Sequence, residues 1–328
     1  MNQLFRWDQT GLFLLALAAG ILPFAVPEVC AAALREGLTL CSGPLLLSLF
    51  PFLVVSRLLI QCPESDLLAL PFRLAAWGIG IRTPCAALVL CIGFLGGFAP
   101  AASAAAQAVR TGQLTAEEAD ALLPACICSG PSFVVLTVGQ SLLGSAELGV
   151  LLFASQITAN YLTAALLNRF AGVRSIKPGS AAPASPAPPR LDEILADAAI
   201  TYCKLCGFIL FFRMLAAGAG ALLPAGAGTL CAVLLEVCSG CDLASRTGRW
   251  GSLLCCAALS VQGLSVLLQV RTICPPEMTL RPLYRSRLLH LPLSLALFYL
   301  LLPGGEADVF STLPARVLLM RRVPPDCA

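Results

Sequence analysis

Hydrophobic residues make up 58% of the 328 and charged residues only 12%, with a mean hydropathy of +0.86. A soluble domain carries roughly 25% charged residues, so this chain lacks the polar surface to cover a globule in water. A net charge of +3 without a clustered basic face argues against nucleic-acid binding. No P-loop, nucleophile–base set or paired carboxylates mark an enzyme.

Charge-free windows run, in chain order, over Gln9–Pro27, Gly37–Ser56, Thr83–Val109, Ala121–Ala146, Leu148–Asn168, Met214–Leu235, Trp250–Val270 and Leu288–Gly305. Most reach or approach the ~20 apolar residues that span a bilayer core. An all-α, polytopic transmembrane bundle is therefore expected. The first window reads as an uncleaved N-terminal span over residues 1–36. Asp8 abuts its apolar start, Pro23 and Pro27 lie in its second half, and no small-x-small cleavage site stands out.

Residues 174–190, RSIKPGSAAPASPAPPR, hold no bulky apolar residue beyond Ile176 and read as a solvated linker. Arg169, Arg174, Lys177 and Arg190 place it in the cytoplasm by the positive-inside rule. The tail 305–328, with Arg316, Arg321 and Arg322, leans the same way. Two comparable halves, 37–173 and 191–304, flank the linker. Exchanging the linker for a Gly/Ser chain of equal length is expected to leave the protein in the membrane fraction at wild-type amounts. Loss from that fraction would show that the linker's sequence matters.

Sixteen cysteines sit mostly in apolar windows. The pairs Cys203–Cys206 and Cys238–Cys241 have the C-x-x-C form of a redox or metal site. His290 is the only histidine, however, and packing as small hydrophobes is the expected use. No metal or cofactor is expected.

Thr115 and Glu118 form an S/T-x-x-E capping box that starts a helix near Ala116. That helix meets Cys128-Ser-Gly-Pro, where Pro131 lacks an N–H and pushes Gly130 away from helical angles. A second apolar piece runs from Ser132 to Leu143. Neither piece spans comfortably alone, so a broken or re-entrant helix is expected. The identical CSGP at Cys41–Pro44 lies where a helix starts, a position at which proline costs little.

The halves share an order of features. LCIGFLGGFAPAASAAAQAVRTG precedes LLPACICSGPSFVVLTV, as LLEVCSGCDLASRTG precedes LLCCAALSVQGLSVLLQV. Gly130 matches Gly263, and Ser132 matches Ser265. Paired interrupted segments point to a transporter-type site, because unwound backbone survives at membrane depth only inside protein or along a cavity.

FPFLVVSRLL (50–59), CSGPSF (128–133), LLGSAELGVLL (142–152), LSVQGLSVLLQV (259–270) and RSRLLH (285–290) resemble, in that order, the nucleoside-recognition (Gate) domain proteins. They are more similar still to the sporulation integral membrane proteins of the YlbJ type. The resemblance covers nearly the whole chain apart from the linker and tail. It implies two Gate-like repeats akin to those of nucleoside transporters, in a membrane protein of an endospore-forming bacterium. It further implies a part in building the spore envelope and cortex.

The candidate solute-binding residues are Ser129, Gly130, Ser132, Gln140, Glu236, Gln262, Ser265 and Gln269. Serine in a membrane helix commonly bonds its own backbone one turn back, which competes with a site role for Ser129 and Ser132. An amide in hydrocarbon needs partners at both ends, so Gln140, Gln262 and Gln269 either join helices or contact solute. Glu236 either binds an ion or solute, or pairs with Lys204 or Arg213. Arg57 is expected to snorkel and His290 to sit at the membrane interface. The expected partners are the lipid bilayer, a small polar solute and a second copy of the chain, with no nucleic acid. A membrane scaffold that recruits spore-envelope machinery is the alternative to transport.

Overall fold

The computed structural model describes residues 9–171 and 190–302; linker residues 174–189 and the tail 305–328 lie outside them. Among the described residues there are fourteen α-helices and no strand. Helices α1 (Gln9–Ala25) and α2 (Pro27–Ser42) meet at Val26. Because α2 runs through residues 36 and 37, no boundary between an N-terminal span and the first half falls there. The first CSGP ends α2 and opens α3 (Pro44–Gln61) with proline in the first turn, as its sequence predicts.

Next come α4 (Asp66–Gly78), α5 (Pro84–Gly96), α6 (Phe98–Arg110) and α7 (Ala116–Cys126). The capping box of α7 is formed in both directions. Thr115 Oγ1 accepts from the Glu118 N–H at 3.1 Å, and Glu118 Oε2 accepts from the Thr115 N–H at 3.1 Å. A π-helix (Ser132–Leu142) and α8 (Ala146–Ala171) complete this half. The second half comprises α9 (Leu191–Leu222), α10 (Ala225–Leu235), α11 (Val237–Ser245), α12 (Gly251–Val261), α13 (Gly263–Ile273) and α14 (Arg281–Leu301).

Four helical stretches, Pro27–Leu47, Ala146–Ala171, Leu191–Leu222 and Gly248–Ile273, are long and apolar enough to cross a bilayer. The distribution of side chains suits lipid rather than water. Phe24, Phe170 and Leu300 point outward at 88%, 85% and 77% exposure, whereas Gln156, Asn160, Gln262, Gln269 and Arg287 are buried. Such an apolar perimeter would be an aggregation surface in water; in hydrocarbon it is the matching face.

Helix association in lipid relies on close packing and interhelical hydrogen bonds. Accordingly α6 buries Ala99, Ala101, Ala102, Ala104 and Ala105, and it packs against α3, α5 and α7. Ten of the fifteen cysteines among the described residues are buried, which fits their use as small packing side chains.

Candidate functional site

The site is built from places where helices stop. Between α5 and α6, Gly97 takes φ +81°. A Cβ there would lie 2.6 Å from the Gly130 nitrogen, so these two backbones touch. Gly130 belongs to the non-helical stretch between α7 and Ser132. Beyond it the chain resumes as a π-helix, with the Leu143 N–H donating to the Val138 carbonyl five residues back at 2.9 Å.

In the second half, Glu236 is extended (φ −152°, ψ 125°) between α10 and α11. Gln262 is left-handed (φ 65°) between α12 and α13. Gly263 follows at φ +68°, where a Cβ would meet the Glu236 nitrogen and the Leu235 carbonyl at 3.0 Å. Each half thus presses one interruption onto another through a glycine.

A cavity of about 50 Å³ lies at the meeting point, lined by Ser129, Gly130, Ser132, Glu236 and Gln269 among others. Gln262 does not line it but lies against Ser129, which does. Its Nε2 donates to the Leu259 carbonyl at 2.5 Å and lies 3.4 Å from Ser129 Oγ. Gln269 Nε2 donates to Ser265 Oγ at 2.9 Å. Both amide oxygens, Gln262 Oε1 and Gln269 Oε1, are buried without a hydrogen-bond partner.

Glu236 is 1% exposed and accepts the N–H groups of Cys238 (2.8 Å) and Ser239 (2.7 Å). Its carboxylate therefore caps α11, where the helix dipole favours negative charge. It pairs with neither Lys204 nor Arg213; Arg213 bonds Glu36 at 2.6 Å instead.

Seven of the eight candidates thus gather at this centre, Gln262 and Ser265 joining through their partners. Gln140 does not: it is exposed. The buried residues of the π-helix are Val134, Val138 and Gly139, with Gly139 against Gly149 of α8; Gln140 lies two residues past Val138, on the opposite side.

Two other expectations change. Arg57 does not snorkel free; it is 8% exposed and bonds Asp197 at 2.6 Å, Thr201 at 3.2 Å and Ser103 at 3.3 Å. His290 is fully buried rather than interfacial, with Nε2 facing the Gln156 carbonyl at 3.2 Å.

The largest omission from the sequence reading is Arg287. Its Nη1 donates to the carbonyls of Ile127 (3.3 Å) and Ser260 (3.4 Å), and its Nη2 to Asn160 Oδ1 (3.1 Å). Asn160 Nδ2 also donates to Ile127 O at 3.2 Å. One buried cation therefore binds carbonyls beside both breaks, with no carboxylate paired to it among the described residues.

Gln156 donates to Ser260 Oγ at 3.1 Å, and the Ser260 and Ser294 hydroxyls bond each other. A signal for this network was present. Gln156 and Asn160 stand four apart on α8, as Ser286, His290 and Ser294 do on α14, and such spacing makes neighbours of successive members on one helix face.

Comparison with protein-family models, curated proteins and solved structures returns no match.

Proposed function

We propose that the protein is a multi-pass protein of the bacterial cell membrane or a forespore-associated membrane. In this reading it binds and moves a small polar solute at the cleft where the interrupted helices meet. The observation that carries it is the pair of orphaned oxygens, Gln262 Oε1 and Gln269 Oε1, beside the buried Glu236 carboxylate. A buried acceptor left bare costs about 1–3 kcal/mol, and a solute bearing N–H or O–H donors removes that cost.

The reading of two Gate-like repeats is supported by element order. α5, Gly97, α6, an RTG turn, α7 and the 127–131 break parallel α10, Glu236, α11, an RTG turn, α12 and Gln262. The role in spore envelope and cortex formation rests on the motif order in 50–59, 128–133, 142–152, 259–270 and 285–290.

About 50 Å³ is room for one or two waters, so a nucleoside-like solute requires the helix pieces to part. That compactness favours a second reading, a non-transporting scaffold for spore-envelope assembly.

The test is complementation of a deletion strain, scored by heat-resistant spores, together with labelled uridine uptake into proteoliposomes. Gln262→Asn is the informative variant, because asparagine tolerates the left-handed backbone that leucine does not. It and Gln269→Leu are expected to reduce spores about tenfold or more at wild-type membrane abundance. Wild-type sporulation from both variants would sink the site. Lost complementation, with uridine uptake no faster than in empty vesicles for the wild-type protein, would select the scaffold.

A further inference from the structure

A second cavity, of about 160 Å³, lies at the end of the bundle where α9 begins. Helices α3, α6 and α13 end there, with Arg57 in the last turns of α3, and Arg110 and Ile273 the final residues of α6 and α13. Two helix faces supply most of its polar lining. Ser103 and Arg110 stand seven apart on α6, and Asp197, Thr201 and Lys204 stand at i, i+4 and i+7 on α9, so each set shares one face.

Arg57 ties the two faces together. Its Nε donates to Ser103 Oγ at 3.3 Å, its Nη1 to Asp197 at 2.6 Å and its Nη2 to Thr201 Oγ1 at 3.2 Å. Asp197 is the only carboxylate lining the cavity, and Arg57 takes it. Arg110 and Lys204 are left as a surplus of positive charge. Both are exposed, so both are open to a ligand. Arg110 uses only Nη2, at 3.4 Å from the Ile273 carbonyl. Lys204 has no hydrogen bond or ion pair among the described residues. Thr201 stands one turn from it and accepts from Arg57, which leaves the hydroxyl hydrogen to donate.

This combination suits one chemistry. Ammonium, guanidinium and hydroxyl donors converge on a space with no spare carboxylate, and charge-assisted bonds to phosphate oxygens are the strong ones. At about 30 Å³ per water, the space holds roughly five waters, enough for a phosphate group but too little for a nucleoside. Basic pockets between membrane helices are also where anionic lipid headgroups bind.

We infer that this cavity binds a phosphate group, its oxygens taking the Lys204 ammonium, the free N–H groups of Arg110 and the Thr201 hydroxyl. The group belongs either to free phosphate or to an anionic lipid headgroup. The inference stands independently of the central cleft.

The test follows thermal unfolding of the full chain in neutral detergent as inorganic phosphate is added, with sodium chloride holding the ionic strength constant. The same melting is measured in phosphatidylcholine nanodiscs with increasing fractions of phosphatidylglycerol. A saturable rise in melting temperature is expected in at least one series. Lys204→Gln should weaken the apparent affinity about tenfold or more, as should Arg110→Gln. Lys204→Gln breaks no internal bond, so the fold is retained. Arg285→Gln removes the same charge from an exposed residue outside the cavity and should leave the affinity unchanged. Stabilisation by inorganic phosphate identifies a site for the free anion, and stabilisation by phosphatidylglycerol alone identifies a headgroup site. No stabilisation in either series would overturn the inference, as would Lys204→Gln weakening it no more than Arg285→Gln.

Discussion

Gly97→Ala is expected to lower the melting temperature of the purified protein by about 10 °C and to abolish complementation. Two costs act at that position. The backbone holds φ +81° and ψ −165°, a region that side chains rarely enter, at about 1–3 kcal/mol. The new Cβ would also lie 2.6 Å from the Gly130 nitrogen and 2.9 Å from its Cα. Neither is the far end of a flexible side chain, so the segment carrying Ser129 and Ser132 has to move.

Gly112→Ala separates the two costs. Gly112 has φ +73°, but a Cβ there meets nothing within 4 Å, so it carries conformational strain alone. Its expected loss is a few degrees. Differential scanning fluorimetry on both variants checks the comparison. If Gly97→Ala melts no lower than Gly112→Ala, the Gly97–Gly130 contact does not hold the break in place.

The parts of this architecture that were legible in the sequence are those governed by local chemistry. Thr115 and Glu118 cap α7 because three residues separate them, whatever packs around them. Pro44 opens α3 because it needs no hydrogen-bonded N–H there, and Pro131 follows a real interruption because it has none to give. The matched order of features in the two halves pointed to the breaks at Ser129–Ser132 and Gln262–Ser265. Glu236 and Gln269 line the same cavity as Ser129 and Ser132, but stood out only as a carboxylate and an amide in apolar surroundings.

What escaped was which face the chain presents after the break and the use of charge within the bundle. Gln140 was singled out because an amide in hydrocarbon needs partners, but it lies two residues past the buried Val138 and faces outward. Arg287 stands beside Arg285 at the edge of an apolar window, the usual pattern of an interfacial cluster. Only the packing of α14 against α7, α8 and α12 makes it internal. Arg57 was misread for the same reason, since Asp197 is 140 residues away in the chain.

Arg287→Met is expected to cost about 3 kcal/mol, or roughly 10 °C in melting temperature. Methionine fills much of the same volume and removes a desolvated charge, which by itself would stabilise. The loss comes from the acceptors left behind. The Ile127 carbonyl retains Asn160 Nδ2 at 3.2 Å. The Ser260 carbonyl lies two residues before the left-handed Gln262, and Arg287 Nη1 is its donor across the bundle. Asn160 Oδ1 likewise loses Arg287 Nη2. Two stranded oxygens at about 1–3 kcal/mol each exceed the relief from the lost charge.

Arg287→Lys should recover less than half of the deficit, because one ammonium cannot reproduce a fork that reaches acceptors on three helices. Adding Asn160→Leu to Arg287→Met should cost less than the sum of the single changes, since one of the stranded acceptors is then gone. Scanning fluorimetry of the four proteins gives the coupling directly. If Arg287→Met melts with the wild type while complementation is lost, the arginine does not brace the two breaks, and its charge serves the solute instead.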